Sequence, residues 1–339
     1  MKRVGITLAR IAAWDNLTAA FYQAAKGRGE NREIEQFRVN LTAELTRLQR
    51  DVLAGQVTPG VGRHFRIRDP KPRDIYAPDF RDRVLHHALM AHIAPVLDRT
   101  LIDDTYACRS GKGGFAAVQR CQQHLQRFAH FIQIDILGYF AHIDHWVLLR
   151  LLARRFKDVA LLKLLWQIIH PSTGESGVGL PIGALTSQVF ANYYVAGLDR
   201  VIQENPKVRG MVRYMDDFIW FCDSKEDGLA ILHLVDAYLA TELRLVRKPN
   251  YRYGKSVGGT VFCGYRILPG AIRLTHRKRQ RFSARRRFWE QAWLRGEISD
   301  LKLQNAYASV VGMTTHADAT SWRKQQLQRV PLVGGLDDV

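Results

Sequence analysis

A chain of 339 residues with 47% hydrophobic content is long enough for two or three subdomains around a sizeable core, which excludes a disordered tail or a disulfide-stapled miniprotein. Lysine and arginine number 50 against 32 acids, and a formal charge of +18 points to a polyanionic partner held through phosphate contacts. Cys108, Cys121, Cys222 and Cys263 lie scattered without CxxC spacing, so neither a zinc site nor a disulfide framework is indicated; small core residues in a reducing cytosol are expected.

No apolar run reaches the length of about 20 residues that a membrane span needs. The apolar start is interrupted by Arg10 and Asp15, so it does not read as a signal peptide. Ile11, Trp14, Leu17, Ala20 and Phe21 recur at helical spacing and predict a helix from 11 to 25, ended by Gly27-Arg28-Gly29. Phe37, Leu41, Leu45, Leu48 and Val52 predict a second from 34 to 53. Phe65 and Ile67 then alternate with basic residues up to Pro70-Lys71-Pro72-Arg73, and Asp74-Ile75-Tyr76 follows, the pattern of a basic hairpin. From Arg81 a further helix carries His86 and His87, which as neighbours face different sides and read as surface or packing residues, not metal ligands. Arg109-Ser110-Gly111-Lys112-Gly113-Gly114 is a basic Gly-rich turn before a helix from Phe115; its amides suit phosphate, but the P-loop pattern is missing.

Phe128 to Ile136 reads as a buried strand that ends on Asp135 and turns through Leu137-Gly138-Tyr139-Phe140. Leucine-rich helices follow, and then a Gly-rich turn, Gly177 to Gly183, before a helix containing Ser187-Gln188 and Ala191-Asn192. Arg213-Tyr214-Met215-Asp216-Asp217-Phe218 fits two short strands meeting at a tight turn. Adjacent acids on such a turn are costly unless a cation neutralises them, and a two-metal site needs one further carboxylate from another element. Asp135 supplies it if its strand lies beside the hairpin.

An amphipathic helix is predicted from Leu229 to Leu245, and Arg247-Lys248-Pro249 opens a loop in which Lys248 reads as a solvated lysine. Thr260 to Leu268 reads as a second hairpin. Beyond Pro269-Gly270 the composition turns strongly basic. Arg277, Lys278, Arg281 and Arg285 share a predicted helix with Phe288, Trp289 and Trp293, and helices near 301–312 and 321–330 complete a three-helix unit before a frayed tail from Leu332.

In this order the stretches resemble a reverse transcriptase over roughly Trp14 to Arg329, with Asp135 as motif A, Gly177 to Asn192 as motif B and Tyr-Met-Asp-Asp at 214–217 as motif C. The resemblance implies an α+β right-hand polymerase: fingers with N-terminal helices at 1–125, an antiparallel palm at 126–270 with a helical insertion at 146–180, and a basic thumb at 271–339. It also implies an RNA-directed DNA polymerase with two Mg2+ ions, or Mn2+, held by Asp135, Asp216, Asp217 and the Ile136 carbonyl. Lys71, Arg73, Arg109, Phe140, Ile182 and Gly183 stand where such enzymes contact the nucleotide, and Phe140 would bar a 2′-hydroxyl. Phe262, Cys263, Gly264 and Tyr265 match a primer grip, and the thumb arginines with Lys278 would follow the duplex backbone. Most reverse transcriptases carry Gln where this chain has Ile182. That departure resembles the diversity-generating retroelement subfamily, related to group II intron and retron enzymes, and implies error-prone cDNA synthesis in a prokaryotic or phage-encoded cytoplasmic system. Template RNA, primer, dNTPs and a small basic accessory protein are the implied partners. An antiphage or retron-like reverse transcriptase and a catalytically silent RNA-binding scaffold are the rival readings.

Overall fold

In the computed structural model, residues 2–28, 31–68, 72–170 and 177–331 are described. The N-terminal stripes fold as four helices, not two: α1 (Leu8–Ile11), α2 (Trp14–Ala25), α3 (Arg32–Val39) and α4 (Leu41–Leu53). The break falls at Asn40, whose Nδ2 donates to the Gln36 carbonyl at 3.2 Å. An amide that competes for a backbone carbonyl ends a helix where apolar spacing alone would carry it on. Trp14 leaves the expected stripe and is 43% exposed.

The basic hairpin forms from β1 (Arg63–Arg68) and β2 (Pro72–Ala77), in antiparallel register from Arg63 opposite Ala77 to Arg68 opposite Pro72. Every residue of β1 is exposed, Phe65 and Ile67 included, so the hairpin projects from the body. Its root is fixed where the Tyr76 amide donates to the Ile182 carbonyl at 2.9 Å. Next, α5 (Phe80–Asp98) is capped by Asp79, which accepts from the Asp82 amide at 2.7 Å. His86 is a packing residue on α5, and burial pushes its imidazole down to about 4.

The central sheet contains β3 (His130–Asp135), β4 (Gly210–Tyr214), β5 (Asp217–Cys222) and β6 (Arg252–Lys255), all antiparallel in the order β4-β5-β3-β6. The two central strands, β3 and β5, are largely apolar because both faces are covered, whereas β6 at the sheet edge is polar and partly exposed. Ile132, Ile134, Phe218 and Trp220 pack into the main core, while Phe131, Ile219 and Phe221 face a second cluster. The second cluster includes Ala117, Val118 and Cys121 of α6 (Gly114–Arg127). Each fully buried aromatic contributes about 2 kcal/mol of transfer free energy, so the strands bearing the acids are firmly seated.

Between β3 and β4 run α7 (Tyr139–His142), α8 (His145–Ala153), α9 (Val159–Ile169), α10 (Leu185–Tyr194) and α11 (Ala196–Gln203). After β5, α12 (Lys225–Leu243) crosses the sheet. A three-stranded sheet of β7 (Thr260–Phe262), β8 (Tyr265–Leu268) and β9 (Ala271–Leu274) leads to α13 (His276–Leu294), α14 (Asp300–Gly312) and α15 (Thr320–Arg329). Phe282 and Ala292 are the buried apolar residues of α13, whereas Phe288 is 58% exposed and does not join the expected packing stripe. Cys121 and Cys222 are buried as expected; Cys108 is not a core residue but an exposed one, at φ +53 in a turn. The expected frayed tail from Leu332 lies outside the described residues.

Candidate active site

The acidic hairpin turns in two residues. β4 ends at Tyr214, β5 begins at Asp217, and Met215 between them sits at φ +57. Two-residue hairpins demand a positive φ at the first turn position, and a side chain there costs about 1–2 kcal/mol. Neighbouring donors hold the strained turn. Arg213 Nη1 donates to the Met215 carbonyl at 3.0 Å, and the Ile136 amide to the Asp216 carbonyl at 3.2 Å.

Arg213 itself is fully buried. Its Nε and Nη2 grip Asp199 at 2.6 and 2.7 Å, while Nη1 reaches Asn192 Oδ1 at 2.8 Å and Nη2 the Asn192 carbonyl at 3.0 Å. One guanidinium thereby ties α10 and α11 to the acidic turn. A buried charge survives only with such complete pairing.

In the antiparallel register Asp135 stands directly opposite Asp217, and Asp216 occupies the adjoining turn. Directly opposed side chains lie about 5 Å apart at Cβ. Burial pushes the Asp217 carboxyl up to about 7; a 3.0 Å hydrogen bond from Gln133 Nε2 opposes the shift, and the charges of Asp135 and Asp216 add to it. Asp216 is raised too, first by burial and then by Asp135, with Lys248 and Arg73 pulling the other way. Like-charged carboxylates crowded in a half-buried site form a cation-binding environment.

The residues fit hard divalent ions: the donors are carboxylate oxygens, and Asp135 Oδ1 is buried without a hydrogen-bond partner. Among the described residues, however, no three His, Cys, Asp or Glu side chains gather as a closed metal-binding group. Lys248 Nζ instead pairs with Asp135 Oδ2, and the Lys248 amide donates to the Asp135 carbonyl at 2.8 Å.

The other expected site residues are distributed unevenly. Arg73 is on the exposed β2, and its charge reaches Asp216. Lys71 lies outside the described residues. Phe140 packs edge-on against Tyr139, at 5.7 Å between ring centroids, and its carbonyl accepts from the Leu180 amide at 2.7 Å. Gly183, at φ +127, is where β2 touches the Gly-rich turn: a Cβ there would lie 2.3 Å from the Tyr76 carbonyl oxygen. Arg109 faces the body of the protein, donating to Asp98 at 2.6 and 3.4 Å and to the carbonyls of Ile102 and Thr105 at 2.7 and 3.0 Å. It staples its own loop, with its guanidinium donors taken by Asp98 and two carbonyls rather than turned towards the acidic site.

In the second hairpin Phe262 and Tyr265 are buried, Cys263 packs partly buried against the same cluster, and Gly264 is the exposed residue of the turn. Lys278 Nζ rests 3.2 Å from the centroid of the Tyr265 ring, and burial pushes it down to about 8; it braces α13 against that hairpin. Arg277, Arg281 and Arg285 are exposed on α13.

Sequence reasoning passed over three contributors. Gln133 carried a signal: two residues before Asp135 on one strand, it shares that face. Arg213 also showed one, a charge inside an otherwise apolar strand. Asp199 gave none, because only the packing of α11 against β4 brings it to Arg213.

The sequence profile of the family described as "Reverse transcriptase (RNA-dependent DNA polymerase)" matches residues 68–246. Protein YkfC of Escherichia coli is 25% identical over 189 residues, covering 52% of this chain and 49% of YkfC. The group II intron-encoded protein LtrA of Lactococcus lactis subsp. cremoris is 23% identical over 138 residues, 39% of this chain and 23% of LtrA. The chain therefore spans about half the length of YkfC and less of LtrA. An apo telomerase from Candida tropicalis, truncated from its C-terminal domain, matches in structure with a TM-score of 0.46 at 12% identity, covering 63% of this chain and 55% of that one. The family profile covers more than half of the chain and encloses Asp135, Asp216 and Asp217, and on that ground the chain belongs to the reverse transcriptase family.

Proposed function

We propose that this chain is an RNA-directed DNA polymerase that extends a primer along an RNA template, with error-prone copying in a diversity-generating retroelement as its role. The observation that carries the chemistry is the pairing of Asp135 with Asp217 across two strands, with Asp216 in the adjoining turn. Asp135 and Asp216 would hold two Mg2+ or Mn2+ ions, with Asp217 and the Ile136 carbonyl in support. When bound, the ions lower the pKa of the primer 3′-hydroxyl and neutralise the α-phosphate and the departing pyrophosphate.

The chain's own residues divide the remaining work. Arg73, on a hairpin that projects from the body, meets the triphosphate. Phe140 lies under the sugar, and the Ile182-Gly183 backbone approaches the nascent pair. The Cys263-Gly264 turn meets the primer end, while Arg277, Arg281 and Arg285 face the duplex backbone through charge that carries no sequence preference. In this reading residues 1–125 are fingers, 126–270 palm with its insertion at 146–180, and 271–339 thumb.

Ile182 supports the subfamily role. An alkyl side chain offers no hydrogen bond beside the nascent pair, and unmet hydrogen bonds supply much of an enzyme's discrimination. A dedicated template RNA and a small basic accessory protein are the partners this role needs.

The decisive assay is primer extension on an RNA template with Mg2+. Changing Asp216 and Asp217 together to Ala should bring extension to background; equal activity in the double variant would refute the reading. For the subfamily role, Ile182→Gln should lower misincorporation opposite adenine, and an unaltered error spectrum counts against it.

A further inference from the structure

Lys248 is delivered to the acids by backbone, not by chance side-chain reach. Residues 246–248 run alongside 135–137: the Leu137 amide donates to the Val246 carbonyl at 2.9 Å, the Lys248 amide to the Asp135 carbonyl at 2.8 Å, and Ile136 bridges Arg247 in antiparallel fashion. Arg247 then pins the segment. It grips Asp236 at 2.7 and 3.1 Å and donates to the Lys248 and Pro249 carbonyls at 2.9 and 3.0 Å. The main chain is thereby held in place, and the Lys248 side chain carries the charge from it to Asp135.

That side chain pairs with Asp135 Oδ2, yet it leaves Asp135 Oδ1 buried and without a partner. The side chains of the pair are 36% and 40% exposed, so the ammonium has a way out to solvent. One monovalent cation thus stands among three carboxylates and satisfies one oxygen of one of them. A divalent ion, able to bind several carboxylate oxygens at once, competes for the same position.

We propose that Lys248 is the placeholder cation of the acidic site, seated on Asp135 while divalent metal is absent and displaced when metal enters. The proposal rests on the reading of Asp135, Asp216 and Asp217 as metal ligands. Metal entry is then an exchange of cations, and the intrinsic affinity of the site for metal is lowered by the lysine it must evict.

Mn2+ titrated into the full chain without nucleotide or nucleic acid, followed by EPR of the free ion, tests this in wild type, Lys248→Met, Lys248→Arg and Asp216→Asn. Lys248→Met should bind Mn2+ about tenfold or more tightly than wild type. Lys248→Arg, which keeps a competing cation, should bind no more tightly than wild type, and Asp216→Asn should weaken binding in every background. In thermal melts Lys248→Met should lie below wild type without metal, and the gap should close at saturating Mn2+. Unchanged Mn2+ affinity in Lys248→Met, with Asp216→Asn still weakening it, overturns the placeholder role and leaves the metal site standing. Binding indifferent to Asp216→Asn removes the metal site and the placeholder together. A melting deficit that persists at saturating Mn2+ makes Lys248 a brace of the loop and nothing more, which also overturns the proposal.

Discussion

Arg213 and Asp199 form a fully buried, two-pronged ion pair at 2.6 and 2.7 Å, and the same guanidinium holds the carbonyl of Met215 in the acidic turn. The geometry of the acidic tip therefore depends on an acid fourteen residues earlier, on another element. Removing one partner strands the other charge in the core at a cost of about 3–5 kcal/mol. Asp199→Asn should lose stability on that scale in urea denaturation. Arg213→Lys, which keeps the charge but not the forked donors, should also be destabilised and should lose extension activity even at temperatures where it stays folded.

The Asp217 carboxyl gives the second prediction. Its pKa is raised by burial from an ordinary 3.8 to about 7. A raised acid binds its proton more tightly in the folded state, so the metal-free protein is favoured at low pH and loses that stability as pH climbs from about 4 towards 7. Thermal melts in EDTA should show this decline, and Asp217→Asn should flatten it. Mn2+ binding should tighten over the same rise in pH, because the metal displaces the proton.

At Gly183 the contact between the basic hairpin and the Gly-rich turn leaves no room for a methyl group: a Cβ would sit 2.3 Å from the Tyr76 carbonyl oxygen, at φ +127. Gly183→Ala should cost about 1–3 kcal/mol from backbone strain alone. The hairpin root would be pushed away, so KM for dNTP should rise more than kcat falls. An unchanged KM would separate the hairpin from nucleotide binding.

Phe140 supplies a prediction about the sugar. If its ring bars a 2′-hydroxyl, Phe140→Ala should raise the ratio of ribonucleotide to deoxyribonucleotide incorporation about tenfold or more, the scale set by a steric difference of 1–3 kcal/mol. Unchanged sugar discrimination would leave Phe140 as a packing residue against Tyr139.

Much of the fold was legible along the chain. Apolar runs bounded by polar turns located β3, β4 and β5, and helical spacing located α2 and α12. Two kinds of feature were not. Asn40 broke a helix that apolar spacing would have continued, because a local side-chain hydrogen bond overrode the periodicity. The family resemblance made Arg109 a nucleotide contact, and only the folded loop revealed that Asp98 and two carbonyls take its donors.

The primary structure alone determined where the acids stand and what carries them: alternation and turn chemistry put Asp135 at a strand end and Asp216 with Asp217 at a hairpin tip, since these are local properties of consecutive residues. The tertiary structure decided their company. Strand order placed β5 against β3 so that Asp135 meets Asp217, and packing brought in Lys248 from 113 residues away and Asp199 to clamp Arg213. Such partners are chosen by which faces bury together, and that choice is made by the whole core, not by any stretch of chain.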